Sequence, residues 1–301
     1  MKISIRFAFT LLIGSAFALA LVGCGGSSNE KSAKEAAFEE AEKKISSDLD
    51  QVIHDLPSPT EVPYMLQATG SDFNGTLING LENLSKYETN EEEASLNLGV
   101  YATDMGYLLS YEKVSESRQY MEACQKLAET LGVASVFDVK TMEEFQGNLN
   151  NPDSLSKILS RAIVEAETRL ESSDRVSVAA LILTGSFLEG LYLAVKVIET
   201  YPSDVLDETN RNLILEPLVK VVLDQKKPLL DVIAMLKDLP QNDAIAKMIT
   251  ELSILRILYD GDLADIQAKI ASNEGNFILT QDMLIDITTE VKRVRNDIVA
   301  F

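Results

Sequence analysis

The chain has no tryptophan, a single histidine and only two cysteines. Each shortage removes a class of chemistry. One histidine does not furnish the two Glu-x-x-His pairs of a di-iron bundle, nor a zinc site built from Cys and His. His54 precedes the proline-rich run LPSPTEVP, while Cys124 sits on a helical pattern in YMEACQKLAETLG. Nothing in the sequence joins them, so Cys124 reads as a small buried hydrophobe and not as a nucleophile. No glycine-rich phosphate loop, G-x-S-x-G elbow or EF-hand loop occurs. Proline and glycine number 8 and 15 in 301 residues. Apart from ASVFDV at Ala134–Val139, no window alternates with the period of a strand. Positive charge is scarce as well: 27 Lys and Arg stand against 47 Asp and Glu, for a net charge of −20. Such acidity repels nucleic acid and anionic lipid surfaces. No nucleic acid partner, no metal, no cofactor and no catalytic residue is expected.

The N-terminal residues carry the clearest signal. Lys2 and Arg6 precede an apolar run, Phe7–Val22, interrupted by Thr10, Gly14 and Ser15. That run falls short of the roughly 20 apolar residues of a comfortable membrane span, and its charge order is that of a secretory signal peptide. It ends in Leu21-Val22-Gly23-Cys24, followed by the polar stretch from Ser27 to Lys34. This quartet resembles the lipobox of bacterial lipoproteins. The resemblance implies cleavage before Cys24, diacylation of its thiol and insertion of the acyl chains into a membrane leaflet. Loss of Lys2 and Arg6 with residues 1–23 takes the net charge to −22. With Cys24 lipidated, Cys124 has no partner for a disulfide. The residue after the cysteine is Gly25, not aspartate. By the proteobacterial sorting rule this places the protein at the outer rather than the inner membrane. The first acid is Glu30, so a surface-directing acidic signal is not evident, and both the periplasmic and the surface face stay open.

From Glu30 onward, helical periodicity dominates. Ala37, Ala41, Ile45, Leu49 and Val52 form one stripe over Glu30–Asp55, and LPSPTEVP stops it. Further helices are predicted over Asp72–Lys86, Asn90–Tyr111 and Val114–Leu131 with Gly132 beyond its end, and a short turn or helix over Asp138–Gly147. After the boundary NNPDS at Asn150–Ser154 come helices to Glu171, then over Arg175–Thr200, Asp207–Gln225, Pro228–Leu239, Asn242–Tyr259, Asp262–Ser272 and Thr280–Val299. Leu284, Ile287, Val291, Val294 and Ile298 make the last a packing seam. An echo between EPLVKVV at Glu216 and KPLLDVI at Lys227 is too short to mark a solenoid. The fold class is all-α: an antiparallel bundle or irregular array of helical hairpins, with about ten helices. The division is signal peptide 1–23, tether 24–34, and helical parts 35–149 and 150–301, the latter two separate or continuous.

Two helices carry acids where apolar residues prevail. In EEEASLNLGVYATDMGYLLSY, Asn97, Tyr101, Asp104, Leu108 and Tyr111 share a stripe while the other faces are apolar. A buried Asp104 needs hydrogen bonds or a cation, from Tyr101, Tyr111 or an arginine on another helix. In VSVAALILTGSFLEGLYLAVKVIE, Glu189 lies between Gly185 and Gly190, where a neighbouring backbone or a ligand can come close. Tyr192 follows three residues later. Asn97, Tyr101, Asp104, Tyr111, Glu189 and Tyr192 are therefore the candidate pocket, with a structural tie between helices as the plainer role. LGVYATDMGY and GSFLEGLYLA, together with the lipobox, loosely resemble segments of helical lipoproteins from Bacteroidetes-like bacteria, a likeness that supplies no activity. The expectation is a non-enzymatic, lipid-anchored envelope protein that binds or scaffolds a protein partner. A small-molecule-binding bundle and an enzyme with a carboxylate site are the alternatives.

Overall fold

The computed structural model describes residues 58–171, 175–202, 210–272 and 277–300. These are mostly helical, with no strand among them. The signal peptide, Cys24, the tether, the Glu30–Asp55 stripe and His54 lie outside the described residues.

Two long helices build the centre. Helix α3, Glu91–Ser110, is buried from Ala94 to Ser110, and α7, Val176–Glu199, is buried almost without interruption from Val178 to Ile198. Neither has an amphipathic stripe, because each is surrounded. α7 is long and apolar enough to cross a membrane, yet 94% of its most apolar window is buried inside the protein. It is a core helix. The two cross closely, with Gly99 facing the backbone at Ile182–Ser186 and Gly185 facing Leu96. A Cβ on either glycine would collide with a main-chain carbonyl. The Thr103 and Ser186 hydroxyls close the contact at 2.9 Å.

The remaining helices pack around this pair, most of them directly on it. α1 (Glu61–Ala68) crosses both. α2 (Leu84–Tyr87) and α4 (Val114–Thr130) lie on α3. α5 (Val139–Gly147) packs on α6 (Pro152–Glu171), and α6 on α7. α8 (Arg211–Asp224), α9 (Lys226–Asp238), α10 (Asp243–Asp260), α11 (Asp262–Ala271) and α12 (Ile285–Val299) complete the array, α8, α9 and α12 being packed on α7. The described residues fall within one unit, and α3 and α7, drawn from either side of the boundary at Asn150, share one hydrophobic core.

Local signals set most helix ends. Asn90, Asp138 and Asn242 accept N-terminal hydrogen bonds from Glu93, Thr141 and Ile245, as capping residues do. Gly132 ends α4 at φ +68°, the left-handed position expected of C′. Two expectations are corrected. Asp72–Lys86 is not a helix: the chain from Thr69 to Gly80 is irregular, and helix begins only at Leu81 as a 3-10 turn. Side chains from α3 hold this loop. Tyr107 Oη accepts the Asn74 amide at 3.1 Å, and the Tyr111 and Ser71 hydroxyls meet at 2.8 Å. The run read only as a stop also holds the start of α1, which takes Pro63 into its first turn, where no amide is needed. ASVFDV, with its brief alternation, opens as a 3-10 turn, Ala134–Phe137.

Candidate functional site

Asp104 and Glu189 come from the middles of α3 and α7 and are both fully buried. Helix α12 brings the cation. The Arg295 guanidinium spans the Glu189 carboxylate, Nε to Oε2 at 3.0 Å and Nη2 to Oε1 at 3.1 Å. Its flat face lies 4.6 Å from the ring centre of Tyr192, a cation–π contact in a dry setting. Tyr192 therefore belongs to the cluster through Arg295, not through Glu189.

Asp104 takes no hydrogen bond from Tyr101, Tyr111 or an arginine, and Arg295 reaches it through its charge alone. Its Oδ2 accepts the backbone N–H of Asn79 at 2.9 Å. Asn79 is the knot of the cluster. Its carbonyl accepts the Tyr120 hydroxyl at 2.7 Å, and its side-chain amide donates to Tyr87 Oη at 3.1 Å. The Tyr87 hydroxyl donates in turn to the Val299 carbonyl at 2.9 Å. Tyr101 donates to the Gly80 carbonyl at 3.0 Å, and Asn97 Nδ2 donates to the Ile298 carbonyl at 3.1 Å. The Tyr101 ring stands edge-on to those of Tyr87 and Tyr120. Five of the six candidate residues thus meet in one polar seam that joins α3, α7, α12 and the loop before α2. They pack on one another and on backbone, with Asn97, Tyr101, Asp104 and Glu189 at 0% exposure, so they tie helices together instead of lining a pocket.

Tyr111 is the exception. It faces away, into a second aromatic group with Phe73 and Tyr107. Beside that group runs a surface cleft of about 400 Å³ lined by Ser71, Phe73, Asn74, Thr200, Tyr201 and Ile214. A smaller cavity of about 80 Å³ lies between α1, α6 and α7, lined by Val62, Thr103, Ile163, Ser186, Phe187 and Gln225. Pockets for organic ligands are typically about 300–1,000 Å³, so this one has room for a few waters only.

The seam contains residues that sequence reasoning missed: Arg295, Asn79, Tyr87 and Tyr120. A signal existed for Arg295. It stands four residues after Val291 and three before Ile298, inside the apolar stripe of α12, where a charge demands a buried partner. Nothing local marks Asn79.

Burial pushes the pKa of the Tyr101, Tyr120 and Tyr87 hydroxyls and of the Cys124 thiol beside them upward, so they stay protonated. Burial works to lower Arg295, and the charge and hydrogen bonds of Glu189 more than offset it, so the guanidinium is held charged. Burial, then the Glu189 charge, push the Asp104 carboxyl well above the usual carboxylate range. The hydrogen bonds of the seam tie α3, α7, α12 and the Asn79 loop together, with Asn97 Oδ1 and Asp104 Oδ1 left without a hydrogen-bond partner. Among the described residues no group of three or more His, Cys, Asp or Glu is disposed to hold a metal ion. Comparison with family models, curated proteins and solved structures finds no match.

Proposed function

We propose that the chain is a lipid-anchored envelope protein, held in the outer membrane by acyl chains on Cys24, whose helical body binds or scaffolds a protein partner. The observation that carries the anchor is the ordered run from Lys2 and Arg6 through Phe7–Val22 to Leu21-Val22-Gly23-Cys24. Two features support a protein partner over a small ligand. The acids and tyrosines expected around a pocket are spent on one another. The outer side of α10, whose inner side buries Ile245, Met248, Leu252 and Leu255, also exposes Ile254 and Ile257 to 39% and 65%. Exposed aliphatic groups on a helix that already has an apolar face are what a partner surface offers.

Two experiments test the reading. Cys24→Ser should abolish labelling by palmitate and move the protein out of the detergent phase; unchanged partitioning refutes the anchor. A photo-crosslinking side chain at Ile257 should capture one defined protein in intact cells, and the same group at exposed Val139 should not. Equal or absent capture at both refutes the partner surface. A second reading, ligand binding, has in its favour the cleft flanked by Phe73 and Tyr201; a ligand-induced rise in melting temperature that Phe73→Ala removes would establish it.

A further inference from the structure

The polar seam contains two acids and one cation in a site without access to water. Both arms of Arg295 go to Glu189, and no ion pair among the described residues involves Asp104. The Asp104 and Glu189 carboxyl groups are within hydrogen-bond reach of each other. Two carboxylates at that distance, with one guanidinium, would leave a net negative charge in a medium that does not solvate it. The hydrogen bonds identify the acid that relieves this. Each Glu189 oxygen accepts from the guanidinium, which fits a carboxylate. Asp104 Oδ2 accepts the Asn79 amide, and no donor addresses Oδ1. On a buried acid within reach of a carboxylate, the oxygen offered no donor is where a hydroxyl hydrogen belongs.

We propose that Asp104 and Glu189 hold a single proton between them, carried on Asp104 Oδ1, and that this proton latches the Asn79–Gly80 loop to the bundle. With the proton in place, Asp104 is neutral. It donates to Glu189 and accepts from Asn79, and the seam is balanced. Once the proton leaves, the second charge must reach water. The helix pair α3–α7 is locked by backbone contact at Gly99 and Gly185. The loop is the weaker boundary, held here by single hydrogen bonds from Asp104, Tyr101 and Tyr120. Opening therefore starts at Asn79, and it takes with it the link through Tyr87 to Val299.

The groups facing the pair are Tyr101 on α3, Tyr87 on α2, Tyr120 and Cys124 on α4, Tyr192 on α7, Arg295 on α12 and, farther out, Glu82 of the 3-10 turn. The four tyrosines and the thiol are all pushed upward by burial, and Arg295 stays charged. The sign follows. An acid raised in the folded state gives its full stabilisation below its unfolded value, about 3.9, and loses it as pH climbs to the folded value.

Infrared spectroscopy and hydrogen exchange test this on the wild-type chain and Asp104→Asn. At neutral pH the wild type should show a protonated-carboxyl carbonyl band that disappears in the variant. Exchange corrected for its intrinsic pH dependence should accelerate in the peptide spanning Ser71–Asn83 by about tenfold per unit as pH climbs from the unfolded value to the point at which Asp104 releases its proton, and level off beyond it, with α7 still protected. In Asp104→Asn, whose amide donates to Glu189 permanently, the acceleration should vanish. A wild-type spectrum without the band at neutral pH overturns the proposal, whether or not the variant folds. So does an identical pH response in the variant, or loss of α7 protection together with the loop.

Discussion

Arg295 on α12 holds Glu189 on α7 through two parallel hydrogen bonds, across 106 residues of sequence and with 9% and 0% of their side chains exposed. Removing one member strands the other's charge, while replacing both with apolar groups of similar size does not. Glu189→Leu and Arg295→Met should each lower unfolding free energy by about 3–5 kcal/mol. The double variant Glu189→Leu, Arg295→Met should recover most of that loss. Urea unfolding of the three variants supplies the cycle. Additive losses in the double variant would mean that the pair is not coupled as the geometry requires.

The two glycines flanking Glu189 separate cleanly. At Gly185 a methyl group meets the Leu96 carbonyl, whereas at Gly190 the nearest atoms are Val62 side-chain carbons at 3.6 Å, an ordinary contact. Gly185→Ala should therefore destabilise by about 1–3 kcal/mol or more through overpacking. Gly190→Ala should be neutral, or stabilise by up to about 1 kcal/mol through helix propensity. Thermal melts of the two variants give the comparison directly, and equal melting temperatures would contradict the close crossing of α3 and α7.

Cys124 is fully buried, and burial raises its thiol. A thiol-specific reagent should leave it unmodified in the native protein, with the rate of modification under mild denaturant following global unfolding. Rapid labelling without denaturant would place the residue at an accessible site.

Among the nine tyrosines, Tyr101, Tyr120 and Tyr259 are raised most by burial. Their hydroxyls should stay protonated through the ordinary tyrosine range near pH 10 and ionise together with the loss of helical circular dichroism. Their stabilisation is complete below that range and falls as pH rises through it. A single smooth absorbance titration of all nine, preceding any change in helicity, would contradict this.

The amino-acid order reveals helices wherever a local rule governs them. Asn90, Asp138 and Asn242 open theirs with side-chain caps, and Gly132 closes one with its left-handed backbone. It misleads over Thr69–Gly80, because hydroxyls and carboxylates contributed by α3 and α4 fix that loop, and no local pattern encodes contacts made 25 to 41 residues away. The site shows the same split. Asp104 and Glu189 announce themselves as acids among apolar neighbours. The atoms that satisfy them, a backbone amide at Asn79 and a guanidinium at Arg295, belong to other segments. Tyr111 follows Tyr101 and Asp104 on the helical stripe, yet it ends at the helix terminus, where α3 turns toward Phe73 instead of α12.

The close crossing of α3 and α7 also bears on the order in which the chain is made. Thr103 and Ser186, which meet at the crossing, are 83 residues apart, so the ribosome completes α3 long before its partner helix exists. During that interval a segment built to be enclosed on every side, Ala94–Ser110, lacks the helix that covers the face with Gly99 and Thr103. The core cannot close until synthesis has passed α7, and the tie from α12 to Glu189 waits longer still. Folding of this protein is therefore a late event, and a nascent chain halted before residue 176 is the form most in need of a chaperone.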